Sequence, residues 1–187
     1  MEKIDFNNDG FIGFTDGEDI LVDTGILLAF LSSYDTWHKT VSELFNNHIL
    51  NNKKVLFLYI NPCVLNEVVH LTNIRKCINE YLRKHTEITL SKQEKEDIEK
   101  NTINAMKVLV EKEILLPLDG NKDVYLNQME MYKELGSADA FNASLASEYG
   151  ISFLTVDNKL VQNINNNISH FDGIDKIYYT TNVHTEY

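Results

Sequence analysis

The stretch DILVDTGILLAFL, residues 19–31, limits the fold more than any other part of this chain. It is apolar almost throughout and is broken by Asp23 and Thr24. A strand with one wet face would alternate polar and apolar residues. An unbroken apolar run suits a strand buried on both faces of a parallel sheet, leading here straight into a helix. VLFLYI (55–60), ILLPLD (114–119) and ISFLTVD (151–157) read as further strands, and DKIYYTTN near the end reads as an edge strand. Between them lie helical segments. TWHKTVSELFNNHI carries Trp37, Val41, Leu44, Phe45 and Ile49 at helical spacing. NPCVLNEVVHL opens with Asn61 as an N-cap and Pro62 in the first helical position. DVYLNQMEMYKELG ends at Gly136, and ADAFNASLASEY follows a Ser137 cap and stops at Gly150. This order predicts an α/β three-layer sandwich, with a mostly parallel central sheet flanked by helices.

A chain of 187 residues with 43% hydrophobic content fits one domain with a proper core. We expect an N-terminal arm over 1–18 and the domain proper over 19–187, with a charged helical insertion around 74–100 that is exposed to solvent. No apolar run approaches the ~20 residues of a membrane span, and the acidic, polar start does not read as a secretory signal. Cys63 and Cys77 form no disulfide or metal-ligand framework, so a reduced, cytoplasmic protein is expected. The net charge of −11 argues against broad non-specific binding to phosphates. Any nucleic-acid contact must use local patches or bound cations. Lys53-Lys54, Arg75-Lys76 and Arg83-Lys84 are the candidates, and each taken alone reads as solvated surface.

DFNNDGFIGFTD, residues 5–16, matches the spacing of a calcium loop. Asp5, Asn7, Asp9 and Asp16 would supply side-chain oxygens and Phe11 its carbonyl, with Gly10 at the sharp turn. The context is poor for an EF-hand: no helix can precede the loop and a strand follows it. The competing reading is a β-hairpin, with IDF and FIGF flanking an Asp-Gly turn.

Four acids have a different logic. Asp23 interrupts a buried strand, and a lone buried charge costs several kcal/mol unless it is paired or binds a metal. Glu67 follows the strand at 55–60, Asp139 lies in the first turn of its helix, and Asp157 ends the strand at 151–157. Ligands of open α/β sheets gather at the carboxyl ends of strands. Each acid has a plainer reading: Asp139 can favour a helix dipole, Asp157 can start a turn, and Glu67 can be a surface charge. At matching positions in the topology, however, they favour a shared site. Close together they would raise one another's pKa, a conflict that a divalent cation removes.

At these residues the sequence resembles the PIN domain, the Mg²⁺-dependent ribonuclease fold of many bacterial toxin–antitoxin pairs. The similarity runs over about residues 19–180. It is carried by LVDTGILLAFL, by YDTWHKTVSELF with its D-x-x-H (Asp35 and His38), and by NPCVLNEVVHL. GSADAFNASLASEYGISFLTVDNKL, with Asp139 opening a small-residue helix and Thr155-x-Asp157 on the next strand, is the most specific part. The resemblance implies metal-assisted hydrolysis of RNA. Asp23, Glu67 and Asp139 would be the main ligands of Mg²⁺ or Mn²⁺, and Asp157 a fourth. Thr24 would bond a ligand carboxylate or water. Asn142, three residues beyond Asp139, would stand behind the ligands or be an ordinary surface amide. An antitoxin partner and a homodimer are also implied. Three features depart from the family: Gly25 stands where relatives carry Asn or Ser, the chain is longer than a minimal toxin, and it is acidic. Two rival readings remain: a PIN-like module without catalysis that binds RNA or protein, and a calcium-binding protein built on residues 5–16.

Overall fold

The computed structural model describes residues 1–51 and 53–181. The ends of the expected domain (182–187) and of the expected last strand (Asn182) lie outside the described residues. Among the described residues six strands form one sheet: β1 (Glu2–Asp5), β2 (Glu18–Val22), β3 (Leu56–Ile60), β4 (Leu115–Pro117), β5 (Ser152–Leu154) and β6 (Lys176–Tyr179). Their order across the sheet is β1-β6-β5-β2-β3-β4, and every described pairing is parallel.

The described helices that cover the sheet are α1 (Thr24–Leu31), α2 (His38–Leu44), α3 (Pro62–Val69), α4 (Leu71–Lys84), α5 (Lys92–Glu111), α6 (Lys122–Leu135), α7 (Ser137–Tyr149) and α8 (Asn158–Asn166). A π-helical turn, Phe45–Leu50, extends α2. The pleat assigns each helix layer its own core. Ile20, Val22, Leu154 and Tyr178 pack with α1 to α5, in a cluster that includes Leu27, Val41, Val64, Ile74 and Met106. Leu21, Phe153 and Ile177, one residue out of phase, pack with Met131, Phe141, Leu145 and Ile164 of α6, α7 and α8. Side chains alternate faces along a strand, so two full cores on two faces require the apolar-throughout strand that the sequence shows. The expected three-layer α/β architecture is present, with six strands in its sheet.

Several local signals resolve as expected. Asn61 caps α3, its Oδ1 accepting from Cys63 N (2.9 Å) and Val64 N (3.1 Å), with Pro62 at the first position. Gly150 ends α7 in the left-handed region, φ +63°, which glycine reaches without a Cβ penalty. Other expectations need correction. The hairpin over residues 5–16 does not form. β1 instead pairs in parallel with β6, Glu2 opposite Lys176, and Phe14 packs edge-to-face on Tyr178 at 4.7 Å. This makes β1 the sheet edge and puts β6 inside, between β1 and β5. Ser137 begins α7 but does not cap it: Gly136 holds that position, and the Ser137 Oγ receives a hydrogen bond from Gln128 Nε2. The charged segment is not simply exposed, because Ile74 and Ile78 of α4 are buried in the larger core. Among the described residues no helix is long and apolar enough to cross a membrane.

Candidate active site

The chain runs outward from β2 to β3 and β4, then returns to place β5 on the other side of β2. The carboxyl ends of β2 and β5 therefore form a topological switch point, where open α/β sheets bind ligands. Asp23 leaves β2 there and becomes the N-cap of α1, its Oδ1 accepting from Thr24 N at 2.8 Å. Thr155 and Asp157 leave β5 beside it. Glu67 approaches from α3 and Asp139 from the first turn of α7. One cleft is lined by Asp23, Thr24, Glu67, Asp139, Asp157 and Lys76, with Trp37 at its border.

Three hydroxyl and amide groups fix these acids. Thr155 Oγ1 donates to Asp23 Oδ2 at 2.6 Å and accepts from Asp157 N at 3.0 Å. Thr24 Oγ1 donates to Glu67 Oε2 at 2.6 Å. Asn142 is fully buried, not a surface amide; its Nδ2 lies 3.4 Å from Asp23 Oδ1. Its own Oδ1 accepts from Asn61 Nδ2 at 2.7 Å, and the same Asn61 caps α3. A chain of bonds thus runs from the start of α3 through α7 to Asp23 and on to the β5 end. Asp157 is itself an N-cap, accepting from Leu160 N at 3.0 Å.

The electrostatics of the cleft are unfavourable for four charges. Burial pushes the Asp23 carboxyl up, the hydroxyl of Thr155 and the amide of Thr24 oppose this, and the charges of Glu67 and Asp157 add to it, giving a pKa of about 6. Burial likewise raises Asp139, with Asp23, Asp157 and Glu67 reinforcing it, to about 7. Among the described residues no three His, Cys, Asp or Glu side chains close together as a ready-made ligand cage. The acids line one cleft and feel one another's charge across it. This donor set suits a hard divalent cation of the Mg²⁺ type, which binds through one or two carboxylates and keeps several waters. The raised pKa values mark the unmet demand for positive charge.

Gly25, the residue after Thr24, sits close to the start of α8. A Cβ there would stand 3.0 Å from Val156 Cγ2, so Asn or Ser at this position would require Val156 to move. Asp35 and His38 lie apart from the acids. Asp35 Oδ1 accepts from Trp37 N at 2.8 Å and His38 Nδ1 donates to Ala29 O at 2.7 Å, bonds that shape the turn into α2. Thr155 and Asn61 do not stand out in the sequence as supports of Asp23, and Trp37 and Lys76 do not stand out as cleft residues. The T-x-D spacing is a signal for the first. The other three depend on tertiary convergence.

The residues of the calcium-like loop are not gathered around a point. Asp5 Oδ1 accepts from Asn7 N at 3.0 Å, and Asp16 Oδ1 turns away to accept from Val55 N at 2.7 Å. Asn7, Asp9 and Phe11 instead line a separate polar depression against α2 and the π-helical turn, with Glu43 and His48 opposite.

The fold is a parallel sheet between two helix layers, with an acid-lined cleft at its switch point. The family model of the PIN domain matches residues 20–164. The chain belongs to the PIN domain family, whose members are generally nucleases that use divalent metal ions. No curated protein matches the sequence. Solved structures that match include the following two. The structure of FitAB bound to an IR36 DNA fragment is 14% identical, with a TM-score of 0.45, over 90% of this chain and 99% of that one. The crystal structure of FitAcB from Neisseria gonorrhoeae is 16% identical, with a TM-score of 0.41, over 87% and 96%.

Proposed function

We propose that this protein is a Mg²⁺- or Mn²⁺-dependent endoribonuclease that hydrolyses RNA phosphodiester bonds, acting in the cytoplasm as the toxin of a toxin–antitoxin pair. The observation that carries the nuclease reading is the convergence of Asp23, Glu67, Asp139 and Asp157 on one cleft, where Asp139 titrates near neutrality. The toxin role, an antitoxin partner and a homodimer belong to this proposal and rest on the family resemblance alone.

Bound divalent ions would activate water for attack on phosphorus and offset charge on the leaving oxygen. The chain's own residues hold the site. Asp23, Glu67 and Asp139, with Asp157, would supply the carboxylate oxygens. Thr155 and Asn142 fix the plane of the Asp23 carboxylate from two sides. Thr24 serves two acids, its backbone N–H donating to Asp23 and its hydroxyl to Glu67. Such supporting bonds set ligand orientation, and their loss typically costs about 10–100-fold in metal affinity or activity.

The test is cleavage of total RNA by the purified protein with Mg²⁺ or Mn²⁺, with Asp23→Asn as the control. The parent should cut and the variant should not, while circular dichroism shows both folded. A variant that cuts as fast as its parent sinks the assignment. The acids do not close into a three-group cage, which favours a second reading: a PIN-fold module that binds RNA or a basic protein segment without cutting. Absence of Mn²⁺ binding in the millimolar range would support it.

A further inference from the structure

The acid-lined cleft is not isolated. It shares Trp37 and Lys76 with a neighbouring depression between the α2 entry and α4, which also includes Asp35, Thr36, Asn73 and Glu80. That depression shares Lys76 and Glu80 with a third, which runs along α4 to Arg83. The three adjoin one another through these shared residues, stepping away from the acids. All three border α4, the helix LTNIRKCINEYLRK, with four basic residues and one acidic in a chain of net charge −11.

The cations of α4 are not equivalent. Arg75 is committed to Glu99 of α5 through two hydrogen bonds. Lys84 Nζ donates to Thr36 Oγ1 at 3.4 Å. Lys76 and Arg83 make no ion pair or side-chain hydrogen bond among the described residues. They are seven positions apart, two turns of one helix face and about 10 Å along its axis. Trp37, the single tryptophan, packs one side on the core and borders both the acid cleft and its neighbour. Two uncommitted cations in line with a half-exposed indole are the elements of a single-strand track: phosphates sit on the charges and a base stacks on the ring.

We propose that single-stranded RNA reaches the acidic cleft along α4, with phosphates held by Lys76 and Arg83 and a base stacked on Trp37 at the cleft mouth. This rests on the nuclease reading and adds to it the path of the strand. It also answers the charge paradox, since an acidic chain needs only a local basic strip where the polymer lies. A duplex, its bases already stacked, could use the cations but not the indole.

Binding of a short oligoribonucleotide in EDTA separates the track from the chemistry. With one tryptophan, quenching of indole fluorescence reports on Trp37 alone. Single-stranded RNA should quench it, and duplex RNA should bind with little quenching. Lys76→Gln with Arg83→Gln should flatten the plot of log affinity against log salt by about 1.4, because each phosphate neutralised on a single strand adds about 0.7 to the slope. Trp37→Leu should weaken binding about tenfold. In cleavage assays the double variant should raise KM. An unquenched Trp37 at saturation, equal quenching by duplex, or an unchanged salt slope overturns the track, even if the parent cuts RNA. Binding with these signatures by a parent that never cuts would keep the track and remove the nuclease reading.

Discussion

The two ends of β2 each bury a carboxylate, and the pair behaves in opposite ways. Glu18 begins the strand and Asp23 follows its last residue; both are less than a tenth exposed. At Glu18, burial pushes the carboxyl up, but hydrogen bonds from Ser152, the Thr15 amide, Lys176 and Tyr178 outweigh it, and the pKa falls below the ordinary glutamate value. Those donors lie at 2.7 to 3.0 Å, and the Lys176 ammonium adds a full charge. At Asp23 burial dominates, the hydrogen bonds of Thr155 and Thr24 do not offset it, the charges of Glu67 and Asp157 add to it, and the pKa rises. One acid is answered from within the chain and ties β2 to β5 and β6. The other is left to be answered by something that binds. Buried charge of the first kind stabilises a fold, and of the second kind marks a site.

The sharpest break of this comparison is Asp23→Asn, which should abolish cleavage yet leave the metal-free fold as stable as before or more so. Glu18→Ala should do the reverse. It strands the buried hydroxyls of Tyr178 and Ser152, at a cost of about 3 kcal/mol or more. With each kcal/mol worth about 2–4 °C in a chain of this size, Tm should fall by roughly 6–12 °C. If Glu18→Ala melts with the parent, the claim that Glu18 locks the strand starts is wrong.

Acidity tests the same contrast with a smaller effect. Asp23 and Asp139 hold protons in the folded chain up to about pH 6 and 7, whereas unfolded aspartates release them near 4. Between those limits the folded state binds more protons than the unfolded one, so these two groups lose stability for the chain as pH rises. Glu18 has the opposite sign: its contribution is present above the unfolded value and is lost as pH falls through its depressed one. In EDTA, the melting temperature of the parent should drop by several degrees from pH 5 to pH 8, and Asp139→Asn should flatten that drop. Mn²⁺ should restore the parent at pH 8 more than at pH 5, because binding must displace fewer protons there. Identical pH slopes for parent and variant would show that the cleft acids are not coupled.

Asn142→Ala carries the comparison into the supports of Asp23. It removes one donor to Asp23 and leaves the Asn61 amide without its acceptor. Metal affinity should fall by about tenfold, at the low end for a supporting residue, because Thr155 and Thr24 remain. Calorimetry with Mn²⁺ reads it directly, and an unaltered isotherm would reduce Asn142 to core packing.

What is readable in the sequence follows from how locally each feature is encoded. Asp23 is visible because it breaks an apolar run, and Asp157 because it ends one. Gly150 and the Asn61-Pro62 pair carry their own backbone preferences and fall where expected. β1 is not readable. Its partner is 174 residues away, Glu2 against Lys176, while the Asp-Gly turn signal beside it is local and favours a hairpin. Asn142 and Asn61 look like any helix-surface and capping amides until α3 and α7 are brought together. Lys76 and Arg83 look like solvated charge because periodicity reports which face of α4 is apolar. It does not report which site the polar face borders.

The smallest expected effect belongs to the loop over residues 5–16. A calcium site of the EF-hand kind needs six to eight oxygens around one point. Here Asp16 is engaged by the amide of Val55 and Asp5 by the amide of Asn7, each a bond that anchors backbone. Recruiting both to an ion would unfasten the entry to β2 from the loop before β3. Titration with Ca²⁺ should therefore give the same isotherm for the parent and for Asp5→Ala. A strong exothermic site lost in Asp5→Ala would show that the loop rearranges around the ion. It would also give the chain a second unmet cluster of oxygens.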